Sequence, residues 1–432
     1  MKLRFLFLCF ITLITCRVWS QTNSIKINAI LDAKNDLIKI QQEIVFYNNS
    51  TQVLNEIYLH NWANSFKDKN TPLTKRLIED YSKSLYFATE KERGFSKILN
   101  LTVGFENTEF TSDEDVEDII KVDLKKGLDP KDSVLIKVSY NVKIPDAKFT
   151  KYGKNKTGYH LRFWYLTPVV FTNEWQLMSN LNIDDLFINP TNYNIKIKIP
   201  NNYLLTSNLT QKKENSVFNL SGNNKTDVIL SIQKTNKFVT YKTNHVDVIT
   251  DISTKGINKK LTSDILNREI DFIESYLGKY PHKKLLIDQI TQDKNPIYGL
   301  NQLPKFLSPF SDVFDRDITF FKAISRKFIE NTLLLNKRKD YWLLDGIQTY
   351  LMMEYVKKYY DDVKLLGTVS KIWGVRSFNF SKLNFNDKYP FVYQFGARRF
   401  LDQALTTRAD SLSNFNRKIA NKYKAGLGLQ YL

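Results

Sequence analysis

The chain has 432 residues, room for two or three domains with buried cores, which excludes a peptide or an isolated motif. A hydrophobic share of 42% with 29 Phe and 23 Tyr excludes disorder for its bulk. Lys plus Arg outnumber Asp plus Glu by 63 to 45, a net charge of +18 that is spread out rather than clustered, so contact with anionic surfaces is favoured and nucleic-acid binding is not expected.

At the start of the chain, Lys2 and Arg4 precede an apolar run from Phe5 to Ile14, and Val18 and Ser20 suit the positions three and one before a cleavage site. Residues 1–20 therefore read as a secretory signal peptide, with a mature chain from Gln21. Both cysteines, Cys9 and Cys16, would leave with it, which excludes disulfides and thiolate metal sites from the mature chain. The alternative makes Leu13-Ile14-Thr15-Cys16 a lipoprotein box with Cys16 acylated, but Thr15 is bulkier than the small residue preferred before the cysteine. No later segment reaches the roughly 18 to 20 apolar residues that span a bilayer. The expected location is secreted, periplasmic or cell-surface, with lipid anchoring at Cys16 the lesser reading.

From Ser24 to Tyr241, period-two stretches alternate with turn clusters, as at Ile25 to Ala29, Ile38 to Tyr47, Val134 to Val142, Tyr193 to Ile199 and Val228 to Ile232. Asn-rich punctuation such as Asn48-Asn49-Ser50 and Gly222-Asn223-Asn224 suits turn geometry. A helical insertion over Pro72 to Lys91 and an acidic loop over Asp113 to Asp118 interrupt the strands. Residues 21–241 are thus expected to form a β-rich amino-terminal domain.

The period then changes. Ile265, Ile270, Ile273 and Leu277 recur at helical spacing before Gly278 and Pro281 stop the run. Leu285 to Ile290 reads as a short buried strand. Phe320, Phe321, Ile324 and Phe328 line one face of a following helix, and Ile347, Tyr350, Leu351 and Tyr355 line one of the next. Residues 242–432 are expected to be mainly helical. Asp312, Asp315 and Asp317 lack the spacing of a calcium loop and fit a helix start better. Lys337-Arg338-Lys339 reads as a solvated loop.

Several motifs, in order, carry a resemblance. Gly278-Lys279-Tyr280-Pro281 precedes the short strand, and Gly299-Leu300-Asn301-Gln302 follows it. Tyr341-Trp342-Leu343-Leu344-Asp345-Gly346-Ile347-Gln348-Thr349-Tyr350-Leu351 opens a helix, and Val392-Tyr393-Gln394-Phe395-Gly396-Ala397 comes later. Together they resemble the aminopeptidase N and leukotriene hydrolase group of gluzincin zinc metallopeptidases. The resemblance implies an α+β multidomain protein, an amino-terminal β-sandwich-like domain followed by a mainly helical thermolysin-like domain. It also implies a further helical domain that does not follow here, so the gluzincin domain looks truncated, with Gly426-Leu427-Gly428-Leu429 as the start of a continuation.

That family binds zinc through His-Glu-x-x-His on one helix and a Glu on the next. Two imidazoles one turn apart face the same side, and the Glu between them polarises the metal-bound water. With Asp345 at the place of the later Glu, the histidine positions fall on Lys322 and Arg326 and the general-base position on Ala323. Lysine and arginine are cations that repel a divalent ion where imidazole ligates it. His60, His160, His245 and His282 include no pair at helical spacing. No metal or other cofactor is therefore expected, zinc being the cofactor only if atypical ligands serve.

The exopeptidase features differ likewise. Asn301 stands where the family's Glu grips a substrate's amino group, and an amide cannot supply that charge; its plain reading is a turn-forming residue. Tyr393 stands where the family's Tyr stabilises the tetrahedral intermediate; its plain reading is a Tyr packed under the cleft. For Lys322 and Arg326 the plain reading is a solvated helix face, and the sharper one is an ion pair with Asp345 in the emptied site. There is no serine-nucleophile elbow, phosphate-binding glycine loop or mature thiol nucleophile.

The expectation is a secreted aminopeptidase-like pseudoenzyme without catalytic residues, Lys322, Ala323, Arg326, Asp345 and Tyr393 being vestigial positions. A peptide or protein partner would bind through Gly299, Leu300, Asn301 and Tyr393, with peripheral contact to an anionic envelope surface and no nucleic acid. The alternatives are an active metallopeptidase with atypical ligands and a structural module of an envelope assembly.

Overall fold

In the computed structural model, which describes residues 21–113, 116–300 and 308–432, the period-two stretches become strands. Ile25, Ile27, Ala29 and Leu31 are buried and their neighbours are not, so the strand Ser24–Asp32 lays one face on a core. It pairs in parallel with Thr191–Lys198 and antiparallel with Leu37–Tyr47, inside an eight-stranded sheet. That sheet shares one hydrophobic core with two four-stranded sheets, which contribute Ile57, Leu59 and Val122, and Leu161, Leu230 and Ile232. The arrangement is sandwich-like, a form in which both inner faces stay dry. Gln42 is a buried polar residue here: its amide donates to the Leu166 carbonyl at 2.7 Å, and its oxygen accepts from the Tyr140 hydroxyl.

Two expected interruptions differ. The helical insertion is only Pro72–Glu79 (α1), opened by Thr71, which caps Thr74 N, and followed by Tyr81 at φ +64°. The acidic stretch holds paired strands, Phe110–Asp113 and Val116–Leu128, and Asp118 within it is buried and accepts from Asn180 N at 2.7 Å. The signal segment with Cys9 and Cys16, and Asn301, lie outside the described residues.

The helices follow. Lys259–Leu277 (α2) is capped by Asn258, whose side chain accepts from Leu261 N. Gln289–Lys294 (α3) is capped by Asp288 and Asp312–Thr332 (α4) by Ser311. Tyr341–Tyr359 (α5), Lys388–Ala397 (α6) and Asn421–Tyr431 (α7) complete the main set. The expected strand is Lys284–Ile287; it runs parallel to Asp247–Thr250, which also pairs with Val239–Lys242. Phe320, Phe321, Ile324 and Phe328 are buried, as their spacing predicts, against Leu266, Ile270, Ile273, Leu285 and Leu351. Asp312 and Asp315 occupy the first turn of α4, but Asp317 is enclosed and accepts from the hydroxyls of Tyr355 and Tyr360 and from Arg268.

Ion pairs brace the sheet region and tie it to the helices. Arg162 pairs with Asp227 at 2.8 Å, Lys294 with Asp184 at 2.8 Å, and Lys327 with both Asp227 and Glu330. Arg338 grips Asp185 through two nitrogens, at 2.5 and 2.7 Å. Lys337 and Arg338 are therefore not a solvated loop but 4% and 2% exposed, Lys337 paired with Glu330 of the preceding helix and Arg338 with Asp185, which is far away in sequence.

Helices α5 and α7 approach closely because glycines face each other's backbone. A Cβ on Gly346 would lie 2.7 Å from the Ala425 Cβ, and one on Gly426 would lie 2.6 Å from the Thr349 Cγ2. Gly346→Val and Gly426→Val should each cost about 1 to 3 kcal/mol by overpacking. Gly374→Ala, which meets nothing, should stay within about 0.5 kcal/mol. Urea unfolding reads the difference, and equal midpoints for all three would refute the close approach.

Candidate ligand-binding site

Every residue of α4 from Asp317 to Ser325 is buried, so this helix has no solvated face along that stretch. Lys322 and Arg326, one turn apart, point the same way. The plain reading of these two as a solvated face is corrected: Lys322 is 6% exposed and the Arg326 side chain 15%. An apolar stripe marks one buried face of a helix but does not show that the others are wet.

The two cations then part. Arg326 donates through Nη1 to Asp345 Oδ1 of α5 and through Nε to Glu330 Oε1 at 2.9 Å. Burial works against the guanidinium charge, but Asp345 and Glu330 outweigh it and raise the pKa above its ordinary value. Lys322 turns away from Asp345. Its Nζ donates to Asn295 O at 2.6 Å, Pro296 O at 2.9 Å and Asn295 Oδ1 at 3.1 Å, which uses the three N–H bonds of an ammonium. Burial and the nearby Lys422 push its pKa well down. Ala323 is buried and offers no base.

Neighbours hold this frame. The Gln348 amide donates to the Lys322 carbonyl at 2.7 Å, and the Thr349 hydroxyl to the Asp345 carbonyl at 2.8 Å. The Tyr341 hydroxyl donates to Arg417 O at 3.0 Å, and burial beside Asp345 raises its pKa well above the usual value.

Of the predicted binding residues, Gly299 has φ +86° and Leu300 is buried, directly after Tyr298. The segment from Asn295 to Tyr298 receives Lys322 and also Lys388 of α6, whose Nζ donates to Tyr298 O at 3.4 Å. One vestigial position, Lys322, thus meets the segment that leads into the loop motif. Tyr393 does not join them among the described residues: it packs on the Met353, Tyr389 and Tyr423 cluster, with its ring 5.9 Å from Lys424 Nζ. Lys388, Lys422, Tyr341 and Glu330 were missed. Only Glu330, one turn after Arg326 on the same helix, carried a signal in its spacing.

The histidines are scattered. His60 accepts from Met178 N at 3.2 Å, His160 sits by Ser231, and His245 pairs with Glu274.

No family model matches the chain, and none of the curated proteins matches it. Among solved structures, a Glu-to-Ala variant of the M1 zinc metallopeptidase from Deinococcus radiodurans is similar with a TM-score of 0.52 and 9% identity, over 95% of this chain and 81% of that one. The M1 zinc metallopeptidase from the same organism gives a TM-score of 0.47 at 9% identity, covering 94% and 88%. The first of these shows the likeness as one of fold.

An M1 fold raises the question of zinc, and the donor set at the expected positions does not fit it. Lys322 is spent on backbone carbonyls, Arg326 is a guanidinium, and Asp345 is a single carboxylate already paired. Among the described residues, no three His, Cys, Asp or Glu side chains come together to hold a metal ion.

Asp345→Ala leaves Arg326 buried beside Glu330 alone and should cost about 3 to 5 kcal/mol, whereas Arg326→Met with Asp345→Leu should cost far less. Chemical unfolding measures both, and a double variant as unstable as the single one would refute the pair as the source.

Proposed function

We propose that this chain is a secreted pseudopeptidase, which binds a peptide or protein partner in the cleft where M1 enzymes act but does not cleave it. The observation that carries the reading is the Arg326–Asp345 ion pair, with Lys322 held on the Asn295 and Pro296 carbonyls. These contacts fill the positions that the resemblance assigns to zinc ligands with groups that cannot lower the pKa of a bound water. On this reading Gly299 and Leu300 line the proposed cleft, and Tyr393, which packs beside Met353 and Lys424, belongs to its outer wall.

Purified protein should contain zinc far below one equivalent and leave aminoacyl anilides and short peptides uncut, with or without added chelator. Peptide capture should weaken about tenfold (~1.4 kcal/mol) in Tyr393→Ala. Stoichiometric zinc together with chelator-sensitive cleavage would make the chain an active metallopeptidase with atypical ligands.

One feature favours a second reading, docking on an anionic envelope surface. The excursion between Lys364 and Asn384 is closed at its base by their pairing and by Leu365 N donating to Leu383 O at 2.9 Å. It exposes Ile372, Trp373, Phe378 and Phe380, and carries Lys371, Arg376 and Lys382 but no acid. Aromatic rings beside fixed cations suit a headgroup layer of negative lipid. Sedimentation with phosphatidylglycerol vesicles, and not with phosphatidylcholine vesicles, is expected, with loss in Trp373→Ala/Phe378→Ala. Indifference to lipid charge would reject this reading.

A further inference from the structure

Three lysines from three helices converge beside the segment Asn295 to Tyr298. Lys322 of α4, Lys388 of α6 and Lys422 of α7 are 6%, 6% and 8% exposed. Their state of satisfaction differs. Lys322 has acceptors for all three of its N–H bonds. Lys388 has one contact at 3.4 Å, to Tyr298 O, and otherwise lies over the Phe385 ring with its Nζ 3.4 Å from the centroid. Lys422 makes no hydrogen bond and no ion pair among the described residues; its Nζ lies 5.7 Å from the centre of the Tyr298 ring and 6.0 Å from that of Tyr423.

The charges around Lys422 do not balance. Asp345 of α5 is the carboxylate whose charge favours the charged form of Lys422, and Arg326 of α4 already occupies that carboxylate. Lys418 from its own helical segment adds another cation, and Lys322 and Lys388 each feel Lys422 as a like charge. Burying an ammonium without a partner is expensive, and ring faces recover only part of the loss. The usual remedy is an anion, because a carboxylate accepts from two ammonium groups at once.

We propose that Lys388 and Lys422, backed by Lys322 and Arg326, form an anion pocket that takes the carboxylate of a peptide. The rings of Phe385, Tyr298 and Tyr423 flank the Lys388 and Lys422 amino groups and offer an apolar wall to the stem behind the carboxylate, which suits an organic acid better than bare phosphate. For its ligand the proposal rests on the peptide-binding reading of the cleft; for its chemistry it rests on the lysines alone.

Two probes separate these. The first is propionate, followed by NMR of protein with ¹³C-dimethylated lysines, the Lys422 signal being assigned as the one missing from Lys422→Gln. Burial, partly offset by Asp345, lowers the Lys422 pKa to about 8. Propionate should shift its titration to higher pH, since an anion favours the charged form. The second is trialanine as free acid against its carboxamide, followed by calorimetry at pH 7. The acid should bind at least about tenfold more tightly, the preference should vanish in Lys422→Gln and Lys388→Gln, and it should persist in the exposed Lys212→Gln.

If propionate moves Lys422 while neither peptide form binds, the anion pocket stands and the peptide-binding reading falls. If acid and amide bind alike and propionate leaves Lys422 unmoved, the cleft binds peptides and the anion pocket is overturned. A preference for the acid that survives both lysine variants overturns the location.

Discussion

A guanidinium and a carboxylate, taken out of water between α4 and α5, set the terms for the rest of this molecule. The Asp345 side chain is 3% exposed and Arg326 15%, so neither can turn to solvent, and each needs the other. Glu330 shares Arg326 and is in turn drawn to Lys327 and Lys337, while Lys327 reaches Asp227 of the sheet region. The pair at the centre of the helices is therefore one node of a charged network that runs into the sandwich. A change at Asp345 is felt at Arg326, then at Glu330, then where sheet and helices meet. Such a network specifies one docking of the two parts, because a misdocked form would strand several buried charges at once.

Much of the fold could be read from spacing, and the reason is local. Ile38 to Tyr47 and Tyr193 to Ile199 alternate because one face of each strand is dry, and alternation is visible without knowing the partner strand. The helix stripe of Phe320, Phe321, Ile324 and Phe328 was legible in the same way. What escaped was long-range. Arg338 looks like part of a wet charge run until Asp185, distant in sequence, is brought to it. Asp118 looks like part of an acidic loop until Asn180 donates to it.

The candidate site divides along the same line. Arg326, Glu330 and Asp345 were within reach of counting, since a helical turn and the start of the next helix fix them. Lys388 and Lys422 were not, because nothing in their neighbourhoods announces that α6 and α7 deliver them to Tyr298. Tyr393 was placed by resemblance alone, and its ring packs beside Met353 and Lys424 instead of facing Asp345. Motif order predicts which helices assemble and is a poorer guide to which side chain points where.

The position of Lys422 follows from the smallest residues in the region. Gly346 and Gly426 let α5 and α7 come close enough that their side chains would otherwise collide, and that approach carries Lys422 toward the carboxylate two helices share. A zinc ion would bring a double charge and a vacant coordination position to such a place. An ammonium brings a single charge and only donors, so it can hold an oxygen anion but cannot activate water. On the proposed reading, a site furnished in this way would keep the sign of a metal centre without its chemistry, and retention of a ligand is the part of peptidase behaviour that such an exchange would leave physically open.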